Sequence, residues 1–134
     1  MADNTHTFVQ IRKSEIQGIG LFAKGNFKKG EKVYSYPKGK VISAQKISAL
    51  SDSDKRYLDK IGNDSFEIIE PPARYVNHSC EPNAAEQDRV GYALRDIKKG
   101  EEITIDYDNI AFLEKPFACR CGSKNCRGTV NGKQ

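Results

Sequence analysis

Four cysteines are the residues of this chain whose type and spacing most clearly suggest a chemical role. Cys119, Cys121 and Cys126 lie within eight residues of one another, and Cys80 lies far upstream. A disulfide between Cys119 and Cys121 would be strained, whereas a structural zinc site takes four ligands. We therefore expect all four cysteines to bind one Zn²⁺ ion, which would clip the C-terminal segment to the loop around Cys80. Four reduced thiols or a labile disulfide are the alternative.

The segment around Cys80 is the second candidate for chemistry, because it is dense in polar side chains. Residues 77–83 read N-H-S-C-E-P-N. Each of these residues alone has a structural explanation, since Asn, Ser and Pro build turns and a lone histidine is usually structural. The segment becomes more informative together with three others, namely residues 18–20 (G-I-G), 100–107 (G-E-E-I-T-I-D-Y) and 119–128 (C-R-C-G-S-K-N-C-R-G).

These four segments together resemble the signatures of the SET-domain methyltransferases. Residues 74–83 match the family's R-F-x-N-H-S-C-x-P-N, and residues 100–107 match its G-E-E-L-T-x-D-Y. Residues 119–128 are similar to the post-SET zinc segment, and residues 18–20 to a glycine pair near the start of the family. The segments occur in the family's order and extend from about Val9 to Val130. Without a cysteine-rich pre-SET region, the chain resembles a minimal SET protein.

The resemblance implies an enzyme, a protein-lysine N-methyltransferase that depends on S-adenosylmethionine. Such an enzyme transfers a methyl group from S-adenosylmethionine to the ε-amine of a lysine in a protein substrate, for example a histone or another basic protein. Tyr107 matches the catalytic tyrosine, and Tyr36 resembles the tyrosine of the family's E-Y-x-G motif, although an extra residue precedes Gly39. The residues that the resemblance implies in cofactor binding are Gly18, Ile19, Gly20, Tyr75, Asn77, His78, Tyr107 and Val130.

Ile105 departs from the family pattern, because the position two residues before the catalytic tyrosine is usually aromatic. A tyrosine there can hold a water molecule where a second methyl group would go, and Ile105 has no hydroxyl to do so. We therefore expect Ile105 to line the substrate channel and to permit more than one methylation. For Ile105 the alternative explanation is that it is only a core residue of a strand. For Tyr36 the alternative is that it is only an aromatic residue in a strand of alternating pattern.

Short β-like runs, and not long helices, must position these residues. We predict strands over residues 8–12, 20–24, 32–36, 40–42, 66–69, 90–95 and 102–107. Residues 43–61 form the best helical stretch, with a cap between two short helices at residues 51–54. Taken alone, the pattern indicates a sandwich or barrel.

The resemblance implies a more specific fold than the strand pattern does. This fold is mostly β, with small sheets, a C-terminal pseudo-knot, a short helical insert and a zinc-bound tail. Residues 1–108 would form the SET domain and residues 109–134 the post-SET tail. Residues 43–62 correspond to the variable region that helps to bind the substrate peptide in this family.

Composition narrows the class of protein. The chain has 134 residues and a net charge of +4, which suggests one globular domain. Charges are dispersed, so we expect no direct binding to nucleic acid. No apolar run is long enough to span a membrane, and the first residues carry no secretory signal. We therefore expect an intracellular protein, cytoplasmic or nuclear.

Further expectations concern partners and rival functions. A lysine-containing protein is the expected substrate, and a homodimer is considered because a very small SET protein can need a partner to complete its peptide groove. A zinc-braced module that binds a protein tail without turnover is one rival function. A zinc protein that binds nucleic acid is the other, although the chain has none of the paired Cys-x2-Cys knuckles of a zinc ribbon.

Overall fold

The structure is a computed structural model that describes residues 8–109 and 117–131. In these residues the fold is mostly β, with short strands in four small sheets, one short α-helix and a few 3-10 turns. The strands are β1 Val9–Lys13, β2 Ile19–Ala23, β3 Lys32–Ser35, β4 Val41–Ser43, β5 Leu58–Lys60, β6 Ser65–Ile68, β7 Asn77–His78, β8 Ala84–Gln87, β9 Val90–Ala93, β10 Glu102–Ile105, β11 Phe117–Ala118 and β12 Thr129–Val130. The predicted mostly β fold of small sheets is confirmed.

The sheet with the order β1-β2-β10-β7 brings the sequence motifs together. Strand β10 pairs antiparallel with β2, where Ile103 lies opposite Leu21. On its other side β10 pairs parallel with β7, where Ile105 lies opposite His78. Three segments that are distant in the sequence, residues 18–20, 77–83 and 100–107, therefore meet at one sheet.

A second sheet, with the order β3-β9-β8, lies beside the first. Tyr34 of β3 and Glu86 of β8 are both in register with Gly91 of the central strand β9. A Cβ atom on Gly91 would lie 2.1 Å from the Tyr34 ring. The glycine therefore lets the tyrosine ring lie across the middle strand.

The insert after β4 is only partly helical, so the predicted helical stretch is wrong at its C-terminal end. A 3-10 helix, Ala44–Ala49, and the short helix α1, Asp52–Lys55, are present, and Ser51 caps α1 by accepting a hydrogen bond from the Asp54 N–H. The predicted cap is confirmed. Leu58–Lys60 instead pairs with β6 as strand β5, because this pairing buries Leu58 in a small cluster with Ile42, Phe66 and Ile68.

Two apolar clusters hold the described residues together. The larger lies between the first two sheets and includes Leu21, Tyr34, Ile97 and Ile103, each at most 1% exposed. Tyr36 and Tyr107, the predicted catalytic residues, are partly buried and pack against this larger cluster. None of the helices in the described ranges has the length and apolar character needed to cross a bilayer. The predicted C-terminal pseudo-knot involves residues outside those ranges and stays a prediction.

Candidate active site and metal centre

The turn at residues 18–20 is fixed by the side chain of Asn77. The Asn77 amide group, which is buried, donates to the backbone carbonyls of Gln17 and Ile19 over 3.1 and 3.2 Å, and to the Glu102 carboxylate over 2.8 Å. Gly18 has a φ of +41°, a left-handed conformation that favours glycine. No other part of the described chain lies within 4 Å of a Cβ built there, which suits a ligand that approaches the backbone closely.

Gly20 lies close to the side chains of Glu102 and Asn77. A Cβ atom on Gly20 would lie 2.3 Å from a carboxylate oxygen of Glu102 and 3.1 Å from the Asn77 amide nitrogen. Ser14 also donates to Glu102, over 2.7 Å. Contacts within the protein therefore favour a glycine at position 20, and the cofactor contact of Gly20 stays a prediction. Glu102 and Ser14 were missed, although Glu102 is the second glutamate of the G-E-E signature.

The side chain of His78 connects Tyr107 to the cysteines. Its Nδ1 accepts a hydrogen bond from the Tyr107 N–H over 3.0 Å, and its Nε2 lies 3.4 Å from Cys80 Sγ. Burial lowers the pKa of His78, an effect that Arg127 reinforces and Asp106 opposes. The neutral ring that results carries its proton on Nε2, because Nδ1 is an acceptor. His78 therefore donates a hydrogen bond to the Cys80 sulfur and accepts one from the backbone N–H of Tyr107.

Tyr107 stands at the end of a cavity of about 310 Å³. Its hydroxyl donates to the backbone carbonyl of Val76, and its ring contacts His78 and Phe117. Burial raises the pKa of Tyr107, as do the nearby Tyr57 and the carboxylates Glu86 and Glu102. The phenol therefore stays protonated in the physiological range and can act as a hydrogen-bond donor and acceptor.

Several of the predicted site residues line this cavity. Its walls include Tyr36, Tyr57, Val76, Glu86, Ile105 and Tyr107. Of the described residues that line it, none belongs to the turn at residues 18–20 or to β7. The structure therefore separates Tyr36, predicted to be catalytic, and Ile105, predicted to line the substrate channel, from Asn77, His78 and the turn at residues 18–20.

Tyr36 enters the cavity from the end of β3. Its pKa is raised by burial and by the carboxylates Asp59, Glu86 and Glu67, whereas Arg89 lowers it. The Arg89 guanidinium lies 4.8 Å from the centre of the Tyr36 ring. Gly39 packs so closely against β6 that a Cβ atom at this position would lie 1.8 Å from the Ile68 carbonyl oxygen. The extra residue before Gly39 is thus accommodated without moving Tyr36 out of the cavity.

Cys80, Cys119, Cys121 and Cys126 form a compact cluster. Their sulfur atoms all lie within 4.8 Å of one another, and the sulfurs of Cys80 and Cys119 are 3.8 Å apart. Zinc–sulfur bonds of about 2.3 Å in a tetrahedron give sulfur–sulfur edges of roughly 3.8 Å. The arrangement of the four thiols therefore fits a tetrahedral metal ion.

Hydrogen-bond donors face the sulfurs of Cys80 and Cys121, whereas burial raises the pKa of Cys119. Cys80 Sγ lies 3.2 Å from the backbone N–H of Arg127 and 3.5 Å from its Nε, in addition to His78. Burial raises the pKa of Cys121, but hydrogen bonds from the backbone of Cys80 and Ser123 outweigh it and lower the pKa to about 6. Since thiolates are the metal-binding form of cysteine, this environment is suited to a zinc ion.

Arg127 ties the cysteine segment to the end of β10. Its guanidinium pairs with Asp106 over 2.8 Å and with Asp108 over 3.1 Å. Both acids flank Tyr107, and Asp108 also accepts the Asn131 N–H over 2.8 Å. The C-terminal segment is thus attached to the residues around Tyr107 by charge as well as by the cysteines.

Two further predicted cofactor contacts lie at the periphery of this arrangement. Tyr75 packs edge-on against Tyr57, with ring centroids 6.1 Å apart. Val130 is fully buried and pairs with Phe117, whose ring contacts Tyr107. The contact with Tyr57 gives Tyr75 a packing role. The cofactor contacts of both residues stay predictions.

Comparisons with known proteins identify one family. Residues 18–108 match the family described as the SET domain. Histone-lysine N-methyltransferase 2B of Homo sapiens is 35% identical over 144 residues, which cover 92% of this chain and 5% of that protein. Histone-lysine N-methyltransferase trithorax of Drosophila melanogaster is 35% identical over 144 residues, covering 92% of this chain and 4% of that protein.

A fungal relative is similar over a comparable share of the chain. The protein named Histone-lysine N-methyltransferase, H3 lysine-36 specific, of Candida albicans (strain SC5314 / ATCC MYA-2876) is 32% identical over 142 residues, covering 93% of this chain and 17% of that protein. The chain therefore spans a small part of the length of these relatives.

Proposed function

Because the chain belongs to the SET-domain family, we propose that it is a protein-lysine N-methyltransferase that uses S-adenosylmethionine. The observation that carries this proposal is the position of Tyr107. Its ring lies between a cavity with Tyr36 and Ile105 in the walls and a sheet that holds Asn77, His78 and the turn at residue 18. A methyl donor on one side and a lysine side chain on the other could meet only near Tyr107.

S-adenosylmethionine supplies an electrophilic methyl group when it is bound. Gly18, Asn77 and His78 are the residues that would hold it, since they surround an open approach to the backbone. The half-buried Glu102 carboxylate, which accepts a hydrogen bond from the Asn77 amide, keeps Asn77 oriented. The contribution of these residues is to fix the direction in which the methyl group faces Tyr107.

The cavity would receive the target lysine. A free lysine has a pKa near 10.4, so the neutral amine costs roughly 4 to 5 kcal/mol at pH 7. A cationic donor nearby and a narrow cavity with little water both lower that pKa. Tyr107 and the Val76 carbonyl oxygen, joined by a hydrogen bond, then align the amine for in-line attack, and this alignment accounts for most of the proposed rate enhancement.

We propose that the four cysteines bind one structural Zn²⁺ ion. The tetrahedral spacing of their sulfurs and the N–H donors around Cys80 support this assignment. The ion would hold residues 117–131 against the loop around Cys80. His78 then links this metal centre to the backbone of Tyr107, so that loss of the ion should disturb the active site.

The proposed substrate is a lysine-containing protein of basic character, such as a histone, because these relatives are named histone-lysine N-methyltransferases. A nuclear or cytoplasmic location, a homodimer and the absence of nucleic-acid binding remain predictions. Light scattering during gel filtration tests the homodimer, and a salt-dependent mobility shift with DNA tests nucleic-acid binding.

Equilibrium dialysis with labelled S-adenosylmethionine, followed by transfer to purified core histones, tests the proposed function. We expect saturable binding of about one cofactor per chain and acid-stable label on histone lysines. Binding without transfer to the histones or to any other lysine-rich protein would favour the non-catalytic module. Absence of binding would contradict the proposal.

A further inference from the structure

Glu86 is a carboxylate in the cavity wall that none of the family signatures includes. It belongs to β8 and lies in one row across the second sheet with Gly91 and Tyr34. The Tyr34 hydroxyl donates to Glu86 Oε2 over 2.8 Å. Tyr34 is 0% exposed, and its ring reaches Glu86 only because Gly91 has no side chain. The fold therefore holds this carboxylate in a fixed orientation at the cavity.

The carboxylate of Glu86 retains capacity to bind a ligand. An ionised carboxylate offers about four acceptor sites, and the Tyr34 hydroxyl uses one of them. Three arginines line the cavity, Arg56, Arg74 and Arg89. Two of them pair with other acids, Arg89 with Glu67 over 2.5 Å and Arg74 with Asp54 over 2.9 Å. Asp59, another acid of the same cavity, adds negative charge beside Glu86. The local charge at this wall is thus suited to a cation.

The other walls suit the rest of a lysine side chain. Tyr36, Tyr57 and Tyr107 present aromatic rings to the cavity, and Ile105 and Val76 present apolar groups. Such walls bind a methylene stem, and aromatic faces also attract a cation. A ligand with an apolar stem and a positively charged end therefore matches the cavity better than a neutral or acidic ligand does.

We propose that Glu86 is a specificity-determining residue that binds the ammonium group of the target lysine as it enters the cavity, with Tyr34 as its positioning residue. This inference rests on the proposed function. Capture by Glu86 precedes methyl transfer, because an ammonium has no lone pair and must lose its proton to solvent before the nitrogen can attack, whereas a nearby carboxylate favours the charged form. Glu86 therefore contributes to substrate affinity and discrimination, whereas Tyr107 acts in the transfer step.

Binding of two small probes tests the inference without any turnover. The probes are N-acetyl-lysine methylamide and its norleucine analogue, which lacks the amine, and binding is followed by NMR shifts of Ile105 in the full chain with its metal. We expect the lysine probe to bind the wild type about tenfold more tightly than the norleucine probe. Glu86→Gln, which keeps an acceptor for Tyr34, should abolish this preference, and Glu86→Asp should retain part of it.

Two controls separate the possible outcomes. Glu31→Gln removes one negative charge at an exposed turn outside the cavity and should leave the preference unchanged. Thermal melting checks that each variant is folded; if Glu86→Gln does not fold, a full tenfold preference in Glu86→Asp contradicts the inference. Equal probe affinities in the wild type, or an unchanged preference in folded Glu86→Gln, would also overturn it.

Kinetics on core histones complete the test. We expect Glu86→Gln to raise KM about tenfold and to change kcat less than twofold. A lower kcat with unchanged KM would contradict the inference, since it would make Glu86 part of the transfer step. If the wild type binds the lysine probe selectively but transfers no methyl group to any protein, the proposed function fails while the inference about Glu86 and the ammonium stands.

Discussion

Tyr107 is fixed from three directions at the scale of single residues. Its hydroxyl donates to Val76, its N–H donates to His78, and its ring packs against Phe117. A side chain fixed in this way can align two reactants, and misplacement by about 1 Å can cost a factor of roughly 100 in rate. The hydroxyl is the only polar group of this ring, so its removal tests the role of Tyr107 directly.

We expect Tyr107→Phe to lower the rate of methyl transfer at least tenfold. The folded state should lose only about 1 kcal/mol, the typical worth of one hydrogen bond, because the ring and its packing are kept. Transfer from labelled S-adenosylmethionine to core histones measures the rate, and thermal melting measures the stability. Near-normal turnover in a well-folded variant would contradict the assigned role.

Ile105 determines the free space beside Tyr107. It is 5% exposed, lies opposite His78 in the sheet and lines the cavity. We expect the wild type to add more than one methyl group to a lysine, and Ile105→Tyr to restrict the product toward monomethyllysine. Mass spectrometry of one target lysine under excess cofactor measures this. Products that stop at one methyl group in the wild type, with no change in Ile105→Tyr, would show that Ile105 is only a core residue.

Glu86 should make the stability of the protein depend on pH. Burial raises its pKa above the ordinary value of 4.5; Tyr34 and Arg89 oppose this, and Asp59 adds to it. The folded state therefore binds a proton more tightly than the unfolded state, and the stability from this group falls as pH rises from about 4.5 through the raised pKa. Glu86→Gln should thus melt at a higher temperature than the wild type at pH 7.

Thermal melting between pH 4 and pH 8 checks this expectation. The difference between Glu86→Gln and the wild type should be largest at the neutral end and should shrink toward pH 4. Glu31→Gln serves as the charge-matched control and should show no such trend. A Glu86→Gln variant less stable than the wild type at pH 7 would mean that the carboxylate is stabilising in the folded protein.

At the scale of elements, the cysteine segment is held both by thiols and by ion pairs. Arg127 contacts Asp106 and Asp108, while the cysteines meet the loop at Cys80. Exposed ion pairs contribute at most about 1 kcal/mol each, whereas a structural zinc ion contributes roughly 10 kcal/mol or more in small zinc modules. The metal should therefore dominate the attachment of residues 117–131.

Metal analysis of the purified protein should find one zinc ion per chain. Cys126→Ser, or a strong chelator, should remove the ion, increase hydrogen exchange in residues 117–131 and weaken the binding of S-adenosylmethionine. The cofactor effect is expected because His78 connects Cys80 to Tyr107. Active protein that contains no zinc when freshly purified would contradict the proposed metal centre.

The elements differ in how far the sequence predicts them. Strands such as β1, β2 and β10 alternate or run apolar for four or five residues and were predicted within a few residues of their bounds. Strand β5, at Leu58–Lys60, was placed in a helix, because its pairing with β6 is a long-range effect that a local pattern does not contain. Strand β7 has two residues, too few for any period.

The site was predictable to the extent that it lies in continuous motifs. Residues 77–83 and 100–107 led to Asn77, His78 and Tyr107, and the structure brings these together. The row of Tyr34, Gly91 and Glu86 was missed, since it depends on how β3 pairs with β9 of the β8–β9 hairpin, which lies far from β3 in the sequence. Side chains that meet across a sheet leave no local signal.

At the scale of the whole molecule, the two proposed reactants have separate approaches to one residue. The turn at residue 18 and Asn77 belong to the first sheet, while the cavity is lined from the second sheet, from the insert and by Ile105 and Tyr107 at the end of β10. Each side can therefore exchange its ligand independently. A lysine that stays in the cavity can meet a second methyl donor, in agreement with the expectation for Ile105.

Transfer of labelled methyl groups from S-adenosylmethionine to a whole-cell extract is the measurement that tests the central claim most directly. Mass spectrometry of the labelled proteins then identifies the modified side chains, and Tyr107→Phe, treated in parallel, is the matched control. We expect label on the ε-amine of lysines in a small number of proteins, and at least tenfold less label with Tyr107→Phe. Label on other side chains, equal label from both proteins, or no label above background would contradict the claim that this chain is a lysine methyltransferase.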